Sequence, residues 1–156
     1  MVALYHESTH RLTLNTTCLE AVRYYGNGNL VKSVLGDVVT YYIGKHYEKT
    51  VGGSKQNERK YYFAGTNRIA MRTGSGVDAS GVNYLLSDHL GSTSVFTDGV
   101  GALVSKQLYK PFGETRYTNV ALPTTYQYTG QRNESAIELY DYGARWYAPY
   151  LNRSKN

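Results

Sequence analysis

The sequence predicts an all-β protein built of short antiparallel strands and hairpins. Tyrosine supplies 17 of the 156 residues, against 3 Phe and 1 Trp. Tyrosine is a strand former with an apolar body and a hydroxyl that seeks a partner. Glycine is high at 16 and proline low at 3, with no collagen period and no Ser/Pro bias. Such a balance points to tight turns rather than disorder. Short β-branched and aromatic runs also alternate along the chain with turns carrying Gly, Asn or Asp, the local signature of hairpins.

Residues 1–20 are polar and Thr-rich, with Leu12-Thr13-Leu14 as the one fragment of alternation. Val22 to Tyr25, the turn Gly26-Asn27-Gly28-Asn29 and Leu30 to Leu35 then read as strand, Asn-Gly turn and strand. Gly36-Asp37 turns into a strand from Val38 to Gly44, and Lys45 to Lys49 continues as another. Val51 to Arg59, with Gly-Gly-Ser and several charges, reads as a loop. Lys60 to Gly65 and Arg68 to Arg72 pair about a Gly-Thr-Asn turn, and Thr73 to Gly81 is a linker or hairpin loop. Ser94-Val95-Phe96 and Ala102-Leu103-Val104 flank an Asp98-Gly99 turn, and Gln107-Leu108-Tyr109 runs into a Pro111-Phe112-Gly113 corner. The only helix candidate is residues 133–140, capped by Asn133 and limited to one or two turns.

Tyrosines recur at 24/25, 41/42, 61/62, 84, 109, 126/128 and 140/142, roughly 20 residues apart, within the period of repeat architectures. Such repeats bury their apolar faces only by stacking on their neighbours. The length allows one domain at most.

Little in the chain supports chemistry. Ser87-Asp88-His89 has the residue types of a hydrolytic triad. In an extended strand, however, Ser87 and His89 share one face and Asp88 the other, so the relay cannot form. Asp88 and His89 are better placed to bond turn backbone before Gly91. His6, His10, His46 and His89 show no metal-ligand spacing, and the single cysteine, Cys18, cannot complete a metal set or an internal disulfide. The glycines sit at turns rather than between a strand and a helix, so no phosphate-binding loop is expected. No metal and no cofactor are expected. The net charge of +5 is scattered, without a basic arm. Arg23-Tyr24, Arg116-Tyr117 and Arg145-Trp146-Tyr147 have the composition of a stacking platform, for which cross-strand packing is the alternative. No apolar run approaches a membrane span, and no signal peptide is visible.

Several of these segments carry a resemblance. Asp88, His89, Gly91, Ser92 and Thr93 lie in DHLGST; Asp98 and Gly99 follow in a turn; Pro111, Phe112 and Gly113 lie in YKPFGE. Downstream come Gly130 and Gln131 in YTGQR, then Tyr140, Tyr142, Ala144, Arg145 and Tyr147 in LYDYGARWY. In this order the words resemble the RHS-repeat-associated core that ends Rhs/YD-repeat shell proteins. The Tyr25-Gly26-Asn27-Gly28-Asn29-Leu30 stretch, with YYIGKHYEK and YYFAGTNRIAMR, resembles the repeats that precede such a core. The resemblance implies a lead segment 1–20, repeat strands 21–75, a core 76–150 and a tail 151–156. It implies a non-catalytic piece of a β-shell that, in full-length relatives, encloses a C-terminal toxin and is secreted or at the cell surface. Its partners would be the rest of the shell and that toxin, with self-association through strand edges as a further possibility. A surface-binding module for carbohydrate or an acidic polymer, acting through exposed Tyr and Arg, is the alternative. The family usually has Asp where Ala148 stands, and Gly and Phe where Asn152 and Ser154 stand; the self-cleavage motif that follows in its toxin-bearing members is not seen, so protease activity is not expected to carry over.

Overall fold

The computed structural model describes residues 10–12, 19–24, 29–52, 55–74, 81–135, 137–143 and 145–155. Eleven strands form one antiparallel meander in strict chain order. They are β1 (His10–Leu12), β2 (Leu19–Tyr24), β3 (Leu30–Leu35), β4 (Val38–Ile43), β5 (Tyr47–Gly52) and β6 (Lys55–Ala64). The sheet continues with β7 (Asn67–Thr73), β8 (Val82–Ser87), β9 (Thr93–Thr97), β10 (Leu103–Tyr109) and β11 (Thr115–Thr118). A second sheet of four strands follows: β12 (Arg132–Glu134), β13 (Leu139–Asp141), β14 (Trp146–Ala148) and β15 (Arg153–Lys155). The all-β expectation holds.

The segment between the sheets, residues 119–131, crosses one face of the meander and sets Leu122 and Tyr126 against Tyr61, Met71, Leu85 and Phe96. It delivers the small sheet onto the early strands, where Ile137, Leu139, Trp146 and Ala148 pack on Leu30 and Tyr42. Successive strand side chains point to opposite faces, so the adjacent pairs Tyr41-Tyr42 and Tyr61-Tyr62 each place one ring on each side. Tyr42 and Tyr61 are buried, whereas Tyr41 and Tyr62 are exposed.

Two sequence expectations are corrected. The loop read over Val51 to Arg59 is mostly strand, ending β5 and opening β6. Its charges pair across the ladder: Lys49 lies opposite Glu58 with Nζ and Oε1 3.2 Å apart, and Glu48 lies opposite Arg59. The segment 133–140 forms no helix among its described residues. Asn133 and Glu134 pair with Tyr140 and Leu139 across a turn in which Glu138 has φ 54°. Leu139 and Tyr140 point to opposite faces of β13, and both are buried. The Pro-Gly corner is itself a hairpin turn, because β11 returns antiparallel along β10. Leu12 ends β1, while residues 13–14, the Gly26 to Gly28 turn and residues 75–80 lie outside the described residues.

Candidate functional site

Four turns share one design. In residues 88–92, 98–102, 110–114 and 127–131 the first amide donates to the fifth carbonyl, and the fourth amide donates to the first carbonyl. The fourth residue is always glycine, with φ between 68° and 91°. This is a tight turn closed by a left-handed residue, which glycine adopts without steric cost. In two of the turns an aspartate reinforces the bend. Asp88 Oδ1 accepts from the amides of Leu90 and Ser92, and Asp98 Oδ1 accepts from those of Val100 and Ala102. Asp88 and His89 lie beyond the end of β8, so strand alternation does not govern them. His89 is exposed.

The meander puts turns 88–92 and 110–114 at one end of the sheet and turn 98–102 at the other, so Asp98 and Gly99 stand apart from the rest. At the first end, turn 127–131 docks on turn 88–92. Ser92 Oγ accepts from the Thr129 amide, the Thr93 amide donates to Gln127 O, and Gly130 lies against the Gly91 carbonyl.

Turn 110–114 is held by three tyrosines. The hydroxyl of Tyr128 donates to Pro111 O at 2.6 Å, that of Tyr147 to Phe112 O at 2.9 Å, and that of Tyr140 to Gly113 O at 3.3 Å. Three consecutive carbonyls of the large sheet's turn thus accept from the connecting segment and from β13 and β14 of the small sheet. Such a bond contributes about 0.5–1.5 kcal/mol net. The rings reinforce the clamp, with Tyr128 packed between Tyr109 and Tyr140 and Tyr142 edge-on to Tyr147. Tyr142 also shares a hydrogen bond with Thr129 Oγ1. Gln131 closes its turn through its carbonyl, Arg145 is exposed and accepts the Tyr142 amide on its carbonyl, and Ala144 lies outside the described residues. Trp146 is buried in the core, so Arg145-Trp146-Tyr147 is not an open stacking platform.

A second fastening lies deeper. Glu48 on β5 is 2% exposed. Its Oε1 meets Arg132 Nη2 at 3.1 Å and Thr125 Oγ1 at 3.3 Å. Its Oε2 accepts the Tyr61 hydroxyl at 3.2 Å and lies 3.6 Å from Arg59 Nη1. Arg132, the first residue of β12, also donates to the Tyr126 hydroxyl at 2.7 Å. Sequence reasoning assigned no role to Glu48 or Arg132. The available signal was an acidic residue directly across a tight turn from an inward tyrosine, since Tyr42 and Glu48 are register partners.

Burial governs the tyrosine ionisations. It pushes Tyr42 and Tyr140 up to about 12, and raises Tyr61, Tyr109 and Tyr126 as well. These folded values lie above the unfolded one near 10, so the stability they contribute is fully present below about pH 10 and is lost as pH rises through about 12. A spectrophotometric titration is expected to show exposed tyrosines ionising first and a buried class ionising late, together with loss of far-ultraviolet strand signal. A single early transition with the fold intact would contradict this burial.

No family model matches the chain. Toxin subunit YenC1 of Yersinia entomophaga is 34% identical over 77 residues, covering 46% of this chain and 8% of that protein. Over that stretch the chain is similar to a Tc toxin subunit. The TcdB2-TccC3-Cdc42 crystal structure superposes with a TM-score of 0.72 at 22% identity, over 86% of this chain and 7% of the other. The Photorhabdus luminescens Tc holotoxin pore superposes with a TM-score of 0.71 at 18% identity, over 95% of this chain and 8% of the other. These structures establish the fold. The chain thus spans less than a tenth of the relatives it matches.

Proposed function

We propose that the chain is a structural wall segment of an Rhs/YD-repeat shell rather than a catalyst. In this reading residues 1–20 lead into the wall and residues 21–75 are its repeat strands. Residues 76–150 are the RHS-repeat-associated core that turns the chain back on the wall, and residues 151–156 form a tail. The partners are the neighbouring shell strands and the polypeptide that the complete shell encloses, in a complex that acts outside the producing cell. The observation that carries the proposal is the fold-back. A four-stranded sheet closes over one face of an eleven-stranded meander and is fastened by the three-tyrosine clamp and the Glu48–Arg132 pair. The end strands β1 and β11 each have a neighbour on one side only among the described residues. Such open edges suit continuation into further strands or self-association. The test is a chimera in which this chain replaces the matching segment of the TcdB2-TccC3 shell. Retained protease protection of the enclosed polypeptide is expected; a shell that assembles but leaves its contents digestible would refute the assignment.

A further inference from the structure

A cavity of about 400 Å³ opens beside the Glu48–Arg132 pair, lined by Lys45, Arg68, Tyr126, Arg132, Asp141 and neighbouring backbone. Its cations are held by ring faces. The Arg68 guanidinium lies 3.3 Å from the Tyr126 ring centroid, Arg132 lies 4.0 Å from that of Tyr42, and Lys45 Nζ lies 4.6 Å from that of Phe63. Stacking engages the flat face of a guanidinium and leaves its N–H edge available. The Nε–H groups of Arg68 and Arg132 are buried and find no acceptor among the described residues.

The charges around the cavity are unequal. Arg59 and Arg132 share Glu48, whereas Arg68 and Lys45 have no carboxylate within 4 Å among the described residues. Asp141 is the acidic group that lines the cavity, and its Oδ1 already accepts the Gly143 amide. Glu134 acts on Tyr42 from the end of β12 and does not line the cavity. Burial lowers the Arg68 pKa, Tyr126, Tyr61 and Glu48 oppose the shift, and Arg132 adds a smaller push downward. Arg132 is already paired with Glu48, so the uncompensated cation is Arg68; an anion reaching the buried Nε–H groups of Arg68 and Arg132 would relieve it.

We propose that this cavity receives the carboxylate of an acidic residue within a peptide segment. Arg68 and Arg132 hold the carboxylate, Lys45 adds charge at the rim, and Asp141 accepts an amide N–H from the peptide's own backbone. A volume of about 400 Å³ exceeds what a bare acetate fills and suits a side chain with its flanking peptide groups. The inference does not depend on the shell reading, because it rests on the cavity alone.

The experiment follows the arginine Nε–Hε resonances of the full chain while a blocked tripeptide with a central aspartate is added. Its asparagine counterpart, acetate and inorganic phosphate serve as parallel probes. Saturable shifts at Arg68 and Arg132 are expected with the aspartyl peptide and not with the asparagine peptide. Arg68→Gln is expected to weaken binding about tenfold, as loss of one charge-assisted contact does. Lys45→Gln changes an exposed turn residue whose ammonium rests on the Phe63 ring, and a smaller weakening of about two- to fivefold is expected from the rim charge. That second variant keeps the test decisive if Arg68→Gln fails to fold. The proposal is overturned if the aspartyl peptide produces no saturable shift, if the asparagine peptide binds as well, if phosphate or acetate binds at least as tightly, or if both substitutions leave binding unchanged.

Discussion

Replacing Arg132 by methionine is expected to lower the unfolding free energy by about 3–5 kcal/mol, the cost typical of removing one partner of a buried ion pair. The substitution keeps an apolar stem of similar length and removes the charge. Glu48, 2% exposed, would be left with Arg59 at 3.6 Å and the hydroxyls of Tyr61 and Thr125. Those groups only partly offset the burial of a full negative charge. The loss has a direction in the fold: Arg132 begins β12, so the small sheet is the part released first. Urea denaturation measures the magnitude, and limited proteolysis should show earlier cutting between 119 and 155. Replacing Glu48 by leucine in the same chain is expected to recover part of the loss, since two apolar residues need no compensation. A loss below about 1 kcal/mol in Arg132→Met would mean that water reaches the pair and screens it.

The position of Glu48 shows where sequence reasoning ended. The hairpins around Gly65 and Asp98-Gly99 were legible because glycine and aspartate solve local problems of backbone geometry, and those solutions lie within a few residues of chain. The strand over Val51 to Arg59 was not legible, because charged residues resemble a loop until their cross-strand partners are known. Lys49 finds Glu58, and Glu48 finds Arg59, only once the β5–β6 register is fixed. Arg132 is 84 residues from Glu48, and no local pattern signals a contact of that range. Similarly, 133–140 carried fair helix propensity with weak local support, and packing on Leu30 and Tyr42 selected a hairpin instead. The tyrosine recurrence pointed to stacked strands. It did not reveal that Tyr128, Tyr140 and Tyr147, from three different elements, would converge on three consecutive carbonyls.

Gly101 and Gly113 separate what a turn requires from what the surrounding fold requires. Both occupy the fourth position of the same turn design, with φ 88° and 91°. Alanine at Gly101 meets nothing within 4 Å. Gly101→Ala is therefore expected to cost only the left-handed strain of a Cβ, about 1–2 kcal/mol. Alanine at Gly113 would place its Cβ 2.5 Å from Cδ1 of the Tyr128 ring. That ring cannot swing aside freely, because Tyr109 and Tyr140 flank it and its hydroxyl is bonded to Pro111 O. Moving it would loosen the clamp that joins the sheets, and overpacking of this kind adds about 1–3 kcal/mol to the turn strain. Gly113→Ala is expected to lose roughly 3 kcal/mol by thermal or urea unfolding, and more than Gly101→Ala in the same background. Tyr128→Ala in the Gly113→Ala chain removes the clashing ring, so the second substitution should cost less there than in the parent chain. Equal losses at the two glycines would show that the clamp yields without cost. The three tyrosines would then be surface bonds and not the fastening between the sheets.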